Sequence, residues 1–206
     1  MDKARYERFH NIIDLLESQI LEGIIDTDVK DRKGIVTEFM YKNKRFNLSL
    51  PVVRAASGIA ELAPLALYLK YVVRPNSLLI LEEPEAHLHP ELQRKMARVL
   101  AMLARSGVRV LVTTHSDLLL EEFNIPMRLN NISREKRRGL GYGEDEYLNV
   151  SDVAVYLFKY DENKQGYITE ELRITEDEGI PEEDLTKVAF EMGETHARIS
   201  HIAEGK

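Results

Sequence analysis

Glu82 and Glu83 stand where the aliphatic run Leu78-Leu79-Ile80-Leu81 gives way to Pro84, in the segment L-L-I-L-E-E-P-E-A-H-L-H-P. Short unbroken aliphatic runs of this kind suit a parallel strand covered on both faces. Ligands of open α/β sheets bind beyond the carboxyl ends of strands, so acids delivered there are aimed at a site. Two carboxylates following a buried strand also need a partner cation. A second run, V-L-V-T-T-H-S from Val110, repeats the design and ends in His115. Glu-Glu and His brought to one sheet edge look like half of a nucleotide-hydrolysing site.

The other half is missing from the sequence. A phosphate cradle would read G-x-x-x-x-G-K-[ST], since glycine amides and a lysine must surround the phosphates. Of the 11 glycines only Gly205 precedes a lysine, at the end of the chain.

The elements that must position these residues are legible on either side of them. Residues Lys3 to Glu22 carry Tyr6, Phe9, Ile13, Leu16 and Ile20 as one apolar stripe, a helix that Gly23 closes. From Gly34 to Val53, I-V-T-E-F-M-Y and F-N-L-S-L-P-V-V around K-N-K-R predict a β-hairpin. Gly58 to Val73 is predicted helical, with Ile59, Leu62, Leu65, Ala66 and Leu69 inward and Pro64 bending or restarting it. Strand 78–83, helix 90–105 and strand 108–114 make a βαβ unit with a right-handed crossover. Pro90 and Glu91 start that helix and Gly107 ends it. Ser116 caps a short helix to Phe123. The charged, glycine-rich stretch Arg134 to Glu146 is expected to be a loop, V-A-V-Y-L-F-K-Y and G-Y-I-T-E-E-L-R-I an antiparallel pair, and Pro181 the start of a last helix.

With 206 residues the chain can bury one good core and a small appended lobe. No apolar stretch approaches the ~20 residues of a membrane span, so no membrane partner is expected. Zero cysteines exclude disulfides and thiolate metal sites and fit an intracellular, cytoplasmic protein. A net charge of −7 argues against a surface that coats nucleic acid generally.

Ser57 and Gly58 enter their helix in R-A-A-S-G-I-A-E-L. A hydroxyl and a glycine amide at a helix start can bind an anion, and they can equally be a plain cap. Their position ahead of Glu82-Glu83 and His115 gives the order signature motif, Walker B strand, D-loop and switch histidine. In this the chain resembles the carboxyl-terminal half of an ABC-type ATPase head, nearest the OLD-like and RecF-like relatives of SMC heads. That group often ends its Walker B strand in E-E-P-E-x-x-L-H-P, here E-E-P-E-A-H-L-H-P.

The resemblance implies an α/β P-loop NTPase fold: a mostly parallel sheet flanked by helices, with a peripheral antiparallel hairpin. Residues 1–33 would be the end of a helical insertion or lid, and 34–206 the lobe itself. It implies ATP and Mg²⁺ as ligands and a homodimer formed through signature and D-loop. Glu82 would hold Mg²⁺ through water, Glu83 would orient the attacking water, and His115 would reach the γ-phosphate. Ser57 and Gly58 would close over nucleotide held by the other subunit, with His89 contributing from the D-loop. Ala56 and Ile59 flank the Ser-Gly pair where the usual L-S-G-G-Q differs, and no glutamine follows. Weak or no ATP turnover is expected of the chain alone. Either the protein begins upstream of Met1 or a second polypeptide brings the P-loop.

Several other readings compete. Glu83, His87, His89 and His115 could serve a metal-dependent hydrolase, or the domain could be a degenerate head that only dimerises. Asp161 to Leu172 mimics a calcium loop until Leu172 occupies the place of the bidentate glutamate, which favours a hairpin turn. The basic cluster Arg134 to Arg138 could touch nucleic-acid phosphates, but its interleaved acids favour a solvated loop.

Overall fold

In a computed structural model the described residues are 3–28, 38–177, 179–181 and 183–203. The predicted hairpin start at Gly34 and the boundary between residues 33 and 34 lie outside them. Helix α1 (Lys3–Leu15) continues into a π-helical turn, Leu16–Ile20. Phe9, Ile13, Leu16 and Ile20 of the expected stripe are buried, joined by Ile12 and Leu15. Gly23 follows because a Cβ there would lie 2.4 Å from the Tyr41 ring. Strand β1 (Ile24–Asp28) then pairs with β2 (Glu38–Asn43), and β2 with β3 (Leu48–Pro51), all antiparallel. The β2–β3 hairpin was predicted; β1 was not, because I-I-D-T-D is short and ends in acids.

Helix α2 (Ser57–Tyr71) buries Leu62, Ala63, Leu65, Ala66 and Leu69, and runs through Pro64 without a break. Pro64 is on the exposed side. The buried ion pair Lys70–Glu17, 2.5 Å, ties α2 to the π turn, and Lys70 also donates to the Ile25 carbonyl of β1.

The βαβ unit matches its predicted bounds within a residue: β4 (Leu78–Glu82), α3 (Pro90–Arg105) and β5 (Arg109–Thr113), with the strands parallel. Pro90 opens α3. Gly107, at φ +83°, ends it in a Schellman motif, its amide bonding the Ala104 carbonyl and Val108's amide that of Leu103. Buried Met96, Ala97, Val99, Leu100 and Leu103 make α3 the centre of a core shared with α1, α2 and the inner face of β4–β5.

Two expectations change here. Parallel pairing, expected through most of the sheet, is confined among the described residues to β4–β5. The strands expected to be covered on both faces are covered on one. Leu79, Leu81, Val110 and Val112 face the core, while Leu78, Ile80 and Leu111 are each more than half exposed.

Helix α4 (Asp117–Leu129) is capped by Ser116 as predicted, but passes Phe123 and contains Pro126. The stretch expected to be a loop holds a short helix, α5 (Arg134–Gly139). Strands β6 (Val155–Asp161) and β7 (Gly166–Leu172) form the peripheral hairpin, and α6 (Glu183–Ala203) ends the described chain. Asp161 accepts the amides of Asn163 and Lys164, so this carboxylate organises the hairpin turn that the calcium-loop mimic conceals. No helix among the described residues is long and apolar enough to cross a membrane.

Candidate functional site

The parallel ladder runs one bond past its strands, the Glu83 amide donating to the Thr113 carbonyl at 2.9 Å. Both chains leave the sheet at this level. Glu83 takes a left-handed backbone, φ +45°, which a β-carbon makes costly outside glycine. The turn that follows is pinned by Ala86 and Leu88 amides on the Glu83 and Glu85 carbonyls, and His87 is left-handed too, at φ +62°. Left-handed side-chain-bearing residues cluster at functional sites because the surrounding structure must hold them there.

This geometry brings the carboxylate and the imidazole together. His115 Nε2 lies 3.9 Å from Glu83 Oε1, both groups exposed. Glu82 ends β4 opposite Thr113 and is also exposed. Glu83 and His115 therefore meet at one end of one strand pair, with Glu82 the last residue of β4 beside them.

Ser57 and Gly58 form the first turn of α2. Ser57 is not the cap: the N-cap is Ala56, with no side-chain hydrogen bond, so no side chain caps the amides of this turn. Gly58 packs on the acid-bearing turn, where a Cβ would sit 3.2 Å from the His87 carbonyl and 3.6 Å from Leu88 Cδ2. A second link is His87 Nε2 to Glu61 Oε1, 3.1 Å, one helical turn further on. His89 caps α3, with Nδ1 accepting the Glu91 amide at 3.4 Å.

The metal-hydrolase alternative loses its ligand set. His87 turns to Glu61, His89 to the α3 backbone and His115 to Glu83. Among the described residues no group of three or more His, Cys, Asp or Glu side chains could hold a metal. The basic cluster is engaged internally as well. Arg134 and Arg138 both bond the Glu144 carboxylate. Arg137 bonds the Ile132 carbonyl at 2.7 Å and stacks 4.1 Å over the Tyr147 ring.

The sequence did not single out Thr114, Gln93 or Glu61 around the site. Each is an ordinary polar residue on a strand end or helix face, with no spacing to mark it.

Residues 2–121, more than half of the chain, match the family described as "AAA domain, putative AbiEii toxin, Type IV TA system". Protein ea59 of Escherichia phage lambda is 38% identical over 78 residues, which is 37% of this chain and 15% of that protein. Among solved structures, one from "Structural biochemistry of ATP-driven dimerization and DNA stimulated activation of SMC ATPases" superposes with a TM-score of 0.54. Its identity is 11%, over 92% of this chain and 91% of that one. An Smc head domain with a coiled coil and joint from Pyrococcus yayanosii also gives 0.54, at 12% identity, over 93% of this chain and 29% of that one. At such identities the likeness is one of fold.

Proposed function

The chain belongs to this AAA-domain family, with the α/β fold of SMC-type ATPase heads, and from that premise we propose that it supplies the acid, histidine and signature elements of a dimeric, ATP-hydrolysing head. The observation that carries the reading is the Glu83–His115 pair, 3.9 Å apart at the carboxyl ends of the only parallel strands among the described residues. Hydrolysis of ATP is attack of water on the γ-phosphorus, and catalysis is positioning together with charge stabilisation. Glu83 is the proton acceptor that orients the water, and its carboxylate is exposed beside His115. His115 donates to the γ-phosphate oxygens as charge builds on them. Glu82 would hold Mg²⁺ through water, and the ion would supply charge neutralisation across the phosphates.

The uncapped first turn of α2 would meet the phosphates held by a partner subunit, with Ser57 and Gly58 giving a hydroxyl and a backbone amide. His89, with Nδ1 engaged in the cap, would present only its Nε2 edge. A Walker A loop has to be supplied, by further sequence or by a partner chain, before turnover is possible. The open face of β4–β5, with Leu78, Ile80 and Leu111, suits an apolar segment bearing it. A cytoplasmic setting goes with this reading.

The test is Glu83→Gln in a P-loop-bearing form of the protein, with steady-state hydrolysis read beside nucleotide affinity and sedimentation. The amide keeps the shape but cannot take a proton. Turnover should fall by ~10²–10⁴-fold while binding persists and a nucleotide-bound dimer accumulates. Wild-type hydrolysis by this variant would mean that another group is the base. No hydrolysis by either the wild type or the variant, with dimerisation intact, would favour a head that only dimerises.

A further inference from the structure

Glu85 is only 6% exposed, although it lies in the same turn as the two exposed acids. Its Oε1 receives the Thr114 hydroxyl, and its Oε2 is enclosed with no hydrogen-bond partner. Thr114 Oγ1 in turn accepts the Ser116 amide at 2.9 Å. The Ser116 hydroxyl donates to Gln93 Oε1 at 2.8 Å while accepting the Leu119 amide at 3.1 Å. Gln93 Nε2 completes the path by donating to the Leu88 carbonyl at 3.1 Å. The circuit leaves the acid-bearing turn at Glu85 and re-enters it at Leu88. His115 is the residue between the two it holds, Thr114 and Ser116.

A carboxyl group enclosed with one oxygen unpaired carries a desolvation cost that an aliphatic side chain would avoid. Packing alone therefore gives no reason for an acid at this position, whereas the Thr114 bond does. We infer that Glu85 is a positioning residue: through Thr114 and Ser116 it fixes the loop that carries His115, so that histidine and Glu83 keep their separation and move as one unit. The kinetic consequence rests on the proposed ATPase reading; the positional claim does not.

The experiment compares Thr114→Val, which removes the hydroxyl but keeps the shape, with Thr114→Ser, which keeps the hydroxyl, and with Glu85→Leu. In the chain itself, the readouts are amide hydrogen exchange at Ser116 and backbone order at His115 by NMR, beside the melting temperature. Thr114→Val should speed Ser116 exchange by about fivefold or more, as expected for a lost hydrogen bond, with Thr114→Ser like wild type. Glu85→Leu should speed it as well, although Glu85 does not touch that amide, and this separates a relay from a local bond. In a P-loop-bearing form, Thr114→Val should lower kcat by about 10–100-fold with KM little changed, the pattern of misplaced catalytic groups. Two results overturn the inference: Thr114→Ser behaving like Thr114→Val, or Ser116 exchanging in Glu85→Leu as in wild type. If Glu85→Leu does not fold, Glu85→Met, nearer in length and also without an acceptor carboxylate, takes its place in the same exchange measurement. If exchange responds as expected but the wild-type P-loop-bearing protein does not hydrolyse ATP, the positioning claim stands and the ATPase reading falls.

Discussion

Replacing Glu83 by glycine should make the fold more stable while abolishing the chemistry assigned to that position. The residue is held at φ +45°, and the left-handed region costs a residue with a β-carbon about 1–2 kcal/mol. Little in its side-chain contacts offsets this. The His115 imidazole is 3.9 Å away, with side-chain exposures of 88% and 54%, a range in which ion pairs contribute about 0–1 kcal/mol. Glycine removes the strain but is more disordered when unfolded, a penalty of about 0.5–1 kcal/mol. Glu83→Ala is the control, since it loses the same side-chain contacts and keeps the strained backbone. Glu83→Gly should therefore exceed Glu83→Ala by about 0.5–1 kcal/mol, or about 1–4 °C in Tm for a chain of this length. Urea denaturation and calorimetry of the two variants side by side measure it. Glu83→Gly at or below Glu83→Ala would show that the left-handed turn is not strained, and would remove the argument that function holds it there.

Arg98→Ala should destabilise by about 2–4 kcal/mol in urea, because it strands the buried Glu146 carboxylate that Arg98 grips with Nε and Nη2 at 2.6 and 2.9 Å. Adding Glu146→Ala should restore part of the loss. In a P-loop-bearing form, Ser57→Arg should block nucleotide-driven dimerisation in sedimentation. His115→Ala should lower turnover by ~10²-fold with modest effect on nucleotide affinity. Asp26 is held below its ordinary range, chiefly by its hydrogen bond from Lys42. A depressed carboxyl group stabilises above its unfolded value, near 3.9, and that contribution is lost as pH falls through the folded one. Asp26→Asn should accordingly have a lower urea midpoint than wild type near neutral pH, and the gap should close in acid.

The βαβ unit was readable in the sequence because its punctuation is local. Pro90 can start a helix, Gly107 can take the left-handed backbone, and the aliphatic runs are too short for anything but strands. The convergence of Glu83 and His115 followed from parallel pairing, which places both strand ends at one edge. What stayed hidden depended on partners distant in sequence. Nothing in I-I-D-T-D announces that β1 will pair with β2. Nothing around Arg134–Arg138 shows that Arg134 and Arg138 will share the Glu144 carboxylate across a helical turn. The helix expected to end at Phe123 runs on through Pro126, which is buried inside α4, where packing outweighs the loss of one backbone donor. His89 also caps a helix, a local role that its motif does not announce.

Every residue proposed for the site, from Ser57 to Ser116, lies on one uninterrupted stretch of chain, and the hydrogen-bond circuit around His115 closes entirely within it. An insertion inside this stretch would break the spacing of several groups at once, whereas a longer turn outside it, such as the one between β6 and β7, would leave that spacing alone.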